Sequence, residues 1–505
     1  MPPCSFYVRH SQPDQKTHTC TLHHHSKGQR TPSEASLASL GTSPNSFGRS
    51  PFLAHPLRTD SCQNLVGANS PEAASRRRRA SGSRIQPHAI ARDLYSHEGE
   101  PSQTDENHAA RLVVVCEPLG VNNLMGALHP HGALYEKPVN IEKAAEQHAA
   151  FRNAIRDTGA VCVTVKDVLE YGCDRSERAR LDLERLAMRS LRYELDPDTD
   201  PRTLSETERH FVSEDYKVEA VEAMSTQQLV DVIFSRPTVD IRRSFRDTGF
   251  TARYRFEPLT NVLFTRDQQI VTGKGVVMAR MRSDQRVHEV ELMQFVWGKL
   301  GIVPVGQIVA PGYLEGGDFI AAGDVALIGV GLRSNEEAVR QLCEQDLLGH
   351  RRVAVVKDNF EQHQDRMHLD CICSLLSANC VLLAEDVIGE SCPKRRLVDE
   401  YELVEDELDG DEGWGRYRCV KSNVELGAYF EHHGYNVIPV PREEQLKYAC
   451  NCLNLGGGSP VLSCHHLSAK RLAKDSRFDG DVRFVAFEEV TAMYGSLHCC
   501  SQVLR

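Results

Sequence analysis

Short apolar runs recur along most of this chain at fairly regular intervals, separated by helix-favouring stretches, and this alternation narrows the possible folds most. Arg111 to Pro118 is an apolar run stopped by proline and reads as a buried strand. Ile141, Ala145, His148, Phe151 and Ile155 then fall at helical spacing, with Gly159 where a C-terminal cap belongs, and Ala160 to Val165 reads as the next strand. Strand, helix, strand is the opening of an α/β chain. Further strands are expected at Val262–Phe264, Gly275–Met281, Val325–Val330, Val353–Val356, Cys380–Ala384, Val437–Val440, Val482–Phe487 and Cys499–Leu504. Helices alternate with them, as at Asn335–Leu342, where Ser334 and Glu337 have capping-box spacing. The recurrence hints at an internal repeat.

Two stretches break the pattern. Residues 1–109 are rich in Ser, Pro, Gly, Thr and His without sustained period, and read as a disordered, low-complexity N-terminal tail. Within it, His23-His24-His25 reads as a solvated polar run, and the basic run Arg76–Arg79 before Ser81 suits a phosphorylation site or a localisation signal. Residues 110–505 are then the folded α/β body. Inside it, 167–248 is charged, helix-favouring and interrupted by Pro197, Pro201 and Pro237, which predicts a helical insertion. The acidic stretch 399–415 reads as a mobile surface loop.

A net charge of −11 argues against nucleic acid as the main partner, since phosphate contacts need excess Lys and Arg. A small soluble substrate fits better. No apolar run is long enough for a membrane helix, and the first residues lack a secretory signal pattern. The 17 cysteines are scattered without the spacing of a disulfide scaffold, so they read as reduced thiols in a cytoplasmic protein, with organelle targeting by the tail left open. Cys450, Cys452, Cys464, His465 and His466 lack the usual spacings of structural zinc.

Four separated clusters carry polar groups in apolar surroundings. Asn261-Val-Leu-Phe264-Thr-Arg-Asp267 ends a predicted strand, and Glu315-Gly316-Gly317-Asp318 joins two acids through a glycine pair. Met367-His368-Leu369-Asp370 sets an imidazole and a carboxylate two residues apart, on one side if the stretch is a strand. Gly495-Ser496-Leu497-His498-Cys499-Cys500 is a glycine-led turn that delivers a thiol. A thiol, an imidazole and several carboxylates point to thiol attack on a cationic, planar guanidinium, the cation that forked carboxylates bind best. Alone, Glu315 with Asp318 also reads as a turn, His368 with Asp370 as the wet face of an edge strand, and the thiol as a small core residue.

Taken together, in this order, the clusters resemble the arginine deiminase family of guanidino-modifying enzymes with the pentein fold, from about Arg111 to Arg505. The resemblance implies a five-bladed α/β propeller of ββαβ modules with a helical insertion. It implies Cys499 as nucleophile, His368 as proton shuttle, Glu315 orienting it, and Asp267 with Asp370 gripping the guanidinium. Asn261, Phe264, Arg286, Asp318, Arg333 and Leu134 would bind substrate, with both arginines on its α-carboxylate. L-arginine would be hydrolysed to citrulline and ammonia through a Cys thiouronium, with no cofactor and no metal; a homo-oligomer stays open. An amidinotransferase of the same fold and a non-catalytic arginine-binding protein are the rival readings. The loop Ala492–Leu497 lacks the arginine that bacterial members carry there, and the adjacent thiols Cys499 and Cys500 leave two candidates, of which Cys499 holds the motif position.

Overall fold

The structure, a computed structural model, describes residues 101–246, 248–406 and 413–505. The histidine run and the basic run of the tail lie outside them. Strands β1 (Leu112–Val115) and β2 (Val161–Thr164) are the two apolar runs expected around the first helix, and they pair in parallel, as strands joined by a helical crossover do. That helix, α1 (Ile141–Arg156), starts at Asn140, whose side chain accepts from Lys143 N at 3.0 Å, and Gly159 takes φ 93° just beyond its end.

His148 lies on the buried face of α1, edge-on to Phe151 and stacked on Phe487, with neither ring nitrogen bonded. Burial pushes its pKa down to about 3. The folded protein keeps this ring neutral while the unfolded chain protonates it near pH ~6.5. Its contribution to stability is therefore complete above that value and is lost as pH falls. Between pH 7.5 and pH 5 we expect a loss of about 2 kcal/mol. Denaturant unfolding of His148→Leu checks this: the variant should lose less stability over that interval, and an equal loss would assign the acid sensitivity to other groups.

The insertion contains helices α2 (Glu177–Ser190), α3 (Glu206–Phe211), α4 (Glu214–Glu222) and α5 (Thr226–Ser235), each started by a serine, of which Ser205 and Ser225 form capping boxes. It is not purely helical, as its composition suggests. Strands β3 (Arg192–Leu195), β4 (Pro237–Arg243) and β5 (Phe250–Phe256) form a sheet of their own, so the insertion runs on to Phe256. β5 is exposed along almost its whole length and therefore lacks the apolar alternation by which strands are recognised. Leu183, Leu186, Val221, Leu229 and Ile233 pack with Met293, Val296 and Trp297 of α6 (Val287–Leu300).

Among the described residues, five groups of strands share one plan: two antiparallel strands, a helix, and a third strand parallel to the second. β6 (Gln269–Thr272), β7 (Gly275–Met278), α6 and β8 (Gly306–Gln307) make one. β9 (Phe319–Ala322), β10 (Val325–Val330), α7 (Glu336–Glu344) and β11 (Arg352–Lys357) make the next. β12 (Cys373–Ser377), β13 (Cys380–Ala384), α8 (Leu426–His432) and β17 (Asn436–Val440) repeat it. In the fourth, β18 (Val461–Ser463), α9 (His466–Leu472) and β19 (Val482–Phe484) follow a single antiparallel bridge, Leu453 to Leu462. The fifth is β20 (Gln502–Leu504) antiparallel to β1, then α1 and β2. The repeat hinted at by the strand spacing is thus a repeat of topology.

Three expectations fail locally. Val262–Phe264 is a run of turns, held by Phe264 N donating to Asn261 O and Asp267 N to Phe264 O, because the residues that follow are spent on a buried polar cluster. The described ends of the acidic stretch enter a sheet: β14 (Leu397–Leu403), β15 (Gly413–Trp414) and β16 (Tyr417–Glu425) extend the β9–β11 sheet, with Glu400 buried against Arg352, Lys421 and His433. The cap of α7 is Asn335, accepting from Ala338 N, and Ser334 bonds elsewhere.

The folded body also begins before residue 110. Gln103 N donates to Thr272 O, Asp105 bridges Ala322, and Gln103 and Glu106 are buried, so Pro101 to Ala109 belongs to the fold and not to a disordered tail. No helix of the described residues is long and apolar enough to cross a membrane, and the 14 cysteines among them are free thiols.

Candidate active site

Each repeat delivers polar residues at the same place, the turn leading into its first strand. Asp267 precedes β6, Asp318 precedes β9, His368 and Asp370 precede β12, Asn451 precedes the Leu453 bridge, and Cys499 precedes β20. His368 is extended and Asp370 lies in a 3-10 turn, Leu369–Cys371. The two therefore do not point the same way along a strand, as alternation would require. The glycine pair Gly316-Gly317 serves close approach between these turns. A Cβ on Gly316 would collide with the Arg266 and Gln269 carbonyls, and one on Gly317 with the His368 ring.

One cavity is walled by Leu134, Asn261, Phe264, Asp267, Arg286 and Arg333 on one part and by Gln364, Met367, His368, Cys371, Met493, Tyr494 and Cys499 on the rest. Glu315, Asp318 and Asp370 stand behind that wall. His368 Nε2 meets Glu315 Oε2 at 2.9 Å, and its Nδ1 lies 3.9 Å from Asp267 Oδ1. Burial opposes charge on the ring, but Asp267, Glu315 and Asp318 outweigh it and hold the His368 pKa up at about 9. The imidazole is thus a proton donor at neutral pH. Burial alone would raise Glu315; His368, Arg286 and Arg333 together keep it ionised.

Arg286 is buried and heavily committed. It donates to Asp267 Oδ2 at 2.8 Å, to Glu289 from Nε and Nη2, and to Asn261 O, with Glu315 at 3.8 Å. Arg333 is less occupied: Nη2 donates to Gln364 Oε1 at 3.1 Å, Nη1 lies 3.7 Å from Glu315, and Nε is buried without a partner. Asp318 accepts from Ser334 Oγ at 2.6 Å and from Leu369 N, and burial raises its pKa to about 7. It lines a second cavity beyond His368 and Met367, with Asp358, Arg366 and Arg396.

The thiol sits in a dense frame. Asn451 Nδ2 donates to Cys499 Sγ at 3.2 Å, while its Oδ1 accepts from the backbone N–H groups of His498 and Cys499. Cys499 Sγ lies 3.4 Å from Asp370 Oδ2, which also accepts from His498 Nδ1 at 2.9 Å, and His498 Nε2 reaches Glu106 Oε1 at 3.2 Å. Burial and Arg266 oppose charge on the His498 ring, but the carboxylates of Glu106 and Asp370, one at each nitrogen, shift its pKa upward. Burial and the negative charge of Asp370 push the Cys499 thiol well above its ordinary pKa. Cys500 is buried in an apolar cluster with Val113, Val115 and Val503 and does not reach the cavity.

Sequence reasoning missed Glu106, Asn451, Gln364, Cys371, Met493 and Tyr494. Glu106 fell inside the presumed tail. Asn451 stood between two cysteines weighed for zinc. Tyr494, at φ 73° in the loop without an arginine, lines the cavity and donates to Asp365 at 3.5 Å. We expect Glu106→Gln to lower unfolding free energy by about 1–3 kcal/mol, because His498 loses a charged acceptor in a buried site. Urea denaturation measures it, and an unchanged midpoint would show that residues 101–109 contribute no more than surface contact.

Two residue groups have donor atoms close enough for a metal ion, His368 with Asp370 and Cys371, and Asp267 with Glu315 and His368. The second is already served by the Arg286 guanidinium.

Residues 132–505 match the model of the family described as arginine deiminase. The chain belongs to the arginine deiminase family. The arginine deiminase of Halobacterium salinarum is 23% identical over 326 residues, which is 49% of this chain and 65% of that protein. That of Rhodococcus erythropolis is 26% identical over 260 residues, 48% of this chain and 59% of that protein. The chain thus spans a little under two thirds of these relatives. Among solved structures, a dimethylarginine dimethylaminohydrolase adduct with 4-chloro-2-hydroxymethylpyridine is 16% identical with a TM-score of 0.44, covering 78% of this chain and 99% of the other. ArgZ, an arginine dihydrolase from the ornithine-ammonia cycle in Cyanobacteria, is 12% identical with a TM-score of 0.42, covering 78% of this chain and 39% of the other.

Proposed function

We propose that this protein hydrolyses the guanidino group of L-arginine to give L-citrulline and ammonia. The observation that carries the reading is Asp267 Oδ1, a buried carboxylate oxygen without a hydrogen-bond donor, in a cavity that also presents the Cys499 thiol and the His368 imidazole. A guanidinium N–H would satisfy it. The same cation, placed beside Cys499, would favour the thiolate that burial and Asp370 otherwise disfavour, so substrate supplies the electropositive help the thiol lacks.

The Cys499 sulfur then attacks the guanidinium carbon, the C–N bond to the departing nitrogen breaks, and His368 delivers the proton with which ammonia leaves. Water attacks the thiouronium carbon, His368 takes its proton, and the C–S bond breaks to release citrulline and the thiol. Asn451 supports the thiolate by hydrogen bonding, and Asp370, committed to His498 and Cys499, acts on the nucleophile more directly than on substrate. Arg333, with donors to spare, is the stronger anchor for the α-carboxylate, and Arg286 chiefly holds the acids in place. Phe264, Asn261 and Leu134 fill the walls. The five topological repeats, each contributing its site residues from the same turn, support a five-bladed propeller closed around this centre.

Incubation with L-arginine alone tests the reading. Citrulline and ammonia in equal amounts without an acceptor are expected; amidino transfer that appears only when an amine is added would replace it with the amidinotransferase reading, and binding without any product would leave a non-catalytic arginine-binding protein.

A further inference from the structure

In the proposed reaction ammonia leaves and water arrives while the rest of the substrate stays bonded to Cys499. Placed between Asp267 and Arg333, that remnant occupies the first cavity, so the way past Leu134 and Tyr494 is taken. A second cavity shares two wall residues, Met367 and His368, with the first. It encloses about 290 Å³, the part open to solvent included. Val330, Gly331 and Leu332, at the end of β10, are half-buried, so this space meets the surface there.

The deeper wall of the second cavity is polar. Asp318, Asp358, Arg366 and Arg396 line it, none more than 8% exposed. Their charges are already matched. Asp358 accepts from the N–H groups of Phe360, Glu361 and Gln362 and pairs with Arg396 at 3.0 Å, and Arg366 donates to Glu361, Asp386 and Gln445. Asp318 accepts from Ser334 Oγ and Leu369 N. Among the described residues, none that lines this cavity alone has a buried side-chain N or O without a partner, whereas the first cavity has Asp267 Oδ1 and Arg333 Nε. The first cavity thus demands an ion. The second offers carboxylate lone pairs to a passing neutral molecule and no unmatched charge to trap it. Two glycines keep it open: a side chain on Gly329 would run into Asp318, and one on Gly331 into Asp358.

We propose that the second cavity is the inlet for the hydrolytic water, which reaches the thiouronium carbon past Met367 and His368 while the remnant still occupies the first. His368 belongs to both walls, so water arrives at the base that takes its proton. Met367, unbranched and flexible, can yield to a molecule of that size. Ammonia, no larger than water, leaves by the same way beforehand. The inlet rests on the proposed hydrolysis.

Val330→Trp and Leu332→Trp fill the outer part of the second cavity, and neither residue is in the wall of the first. In both variants kcat for arginine should fall about tenfold, because arrival of water then limits the cycle. Mass spectrometry of protein quenched at steady state should then find the Cys499 adduct as the major form. Arginine affinity, measured by calorimetry in the Cys499→Ser background, should stay within about twofold of the unblocked chain. A wild-type rate and adduct share in both variants would overturn the inlet, and so would a slower rate without accumulated adduct. Should the tryptophan variants not fold, Leu332→Ala decides by widening the inlet. Hydroxylamine added during turnover displaces the sulfur as water does, giving a hydroxyguanidine and the free thiol; its share of product should rise in Leu332→Ala, and an unchanged share overturns the inlet. A wild-type chain that forms neither adduct nor citrulline would overturn the hydrolysis and the inlet with it, whereas turnover indifferent to all three variants overturns the inlet alone.

Discussion

Replacing Cys499 with serine should reduce arginine hydrolysis on the order of 10⁴- to 10⁶-fold while arginine still binds, because a hydroxyl cannot supply the sulfur nucleophile and the wall that receives the guanidinium is intact. The affinity readout is equilibrium dialysis or calorimetry, and the activity readout is citrulline. Cys500→Ser should stay within about threefold of wild type, since Cys500 packs among Val113, Val115 and Val503 away from the cavity. Mass spectrometry of protein quenched during turnover should find the amidino adduct on Cys499. An adduct on Cys500, or a Cys499→Ser variant that keeps its rate, would end the proposed chemistry.

The second large effect is expected at Arg286. This buried side chain faces Asp267 at 2.8 Å, Glu289 at 2.9 Å and Glu315 at 3.8 Å. Burial alone would favour its neutral form, but the three carboxylates hold the guanidinium charged. Arg286→Met leaves Glu289 and Asp267 without this cation in a buried site, and breaking a buried pair from one side costs about 3–5 kcal/mol. Thermal and denaturant unfolding should both report it. A double-mutant cycle with Glu289→Gln should show about 0.5–3 kcal/mol of coupling, because Glu289 is the partner that Arg286 grips twice. Additive effects would mean that Arg286 acts chiefly on substrate, through the donor it has left, and that the acids are held by other groups.

The parts of this site legible in the sequence are those whose residue types were improbable where they stood. Glu315 and Asp318 around two glycines, His368 and Asp370 in an apolar run, and a thiol after Gly495 all demanded a buried polar partner. Their resemblance to one family then linked them. Glu106 and Asn451 gave no such signal. Glu106 meets His498 across 392 residues and Asn451 meets Cys499 across 48, so neither role exists until the chain closes. The strands of the insertion and of the acidic stretch were hidden for a different reason: β5 is exposed on both faces, and β14 buries an acid, Glu400, that Arg352 and Lys421 neutralise.

By itself, then, the sequence determined the α/β alternation, most strand and helix positions in the repeated units, the family, and the residue types of the site. The elements follow from local rules of periodicity, capping and turn chemistry, which act over a few residues, and the family follows from the resemblance of four motifs in one order. Only the tertiary structure decided which groups are spent and which are free: that Arg286 is bound to acids while Arg333 keeps donors, that Asp370 faces the thiol, that Cys500 is core, and that a second cysteine shares the cavity. Hydrogen-bond capacity is finite and is allotted among neighbours in space, and spatial neighbours are set by the closure of the whole chain.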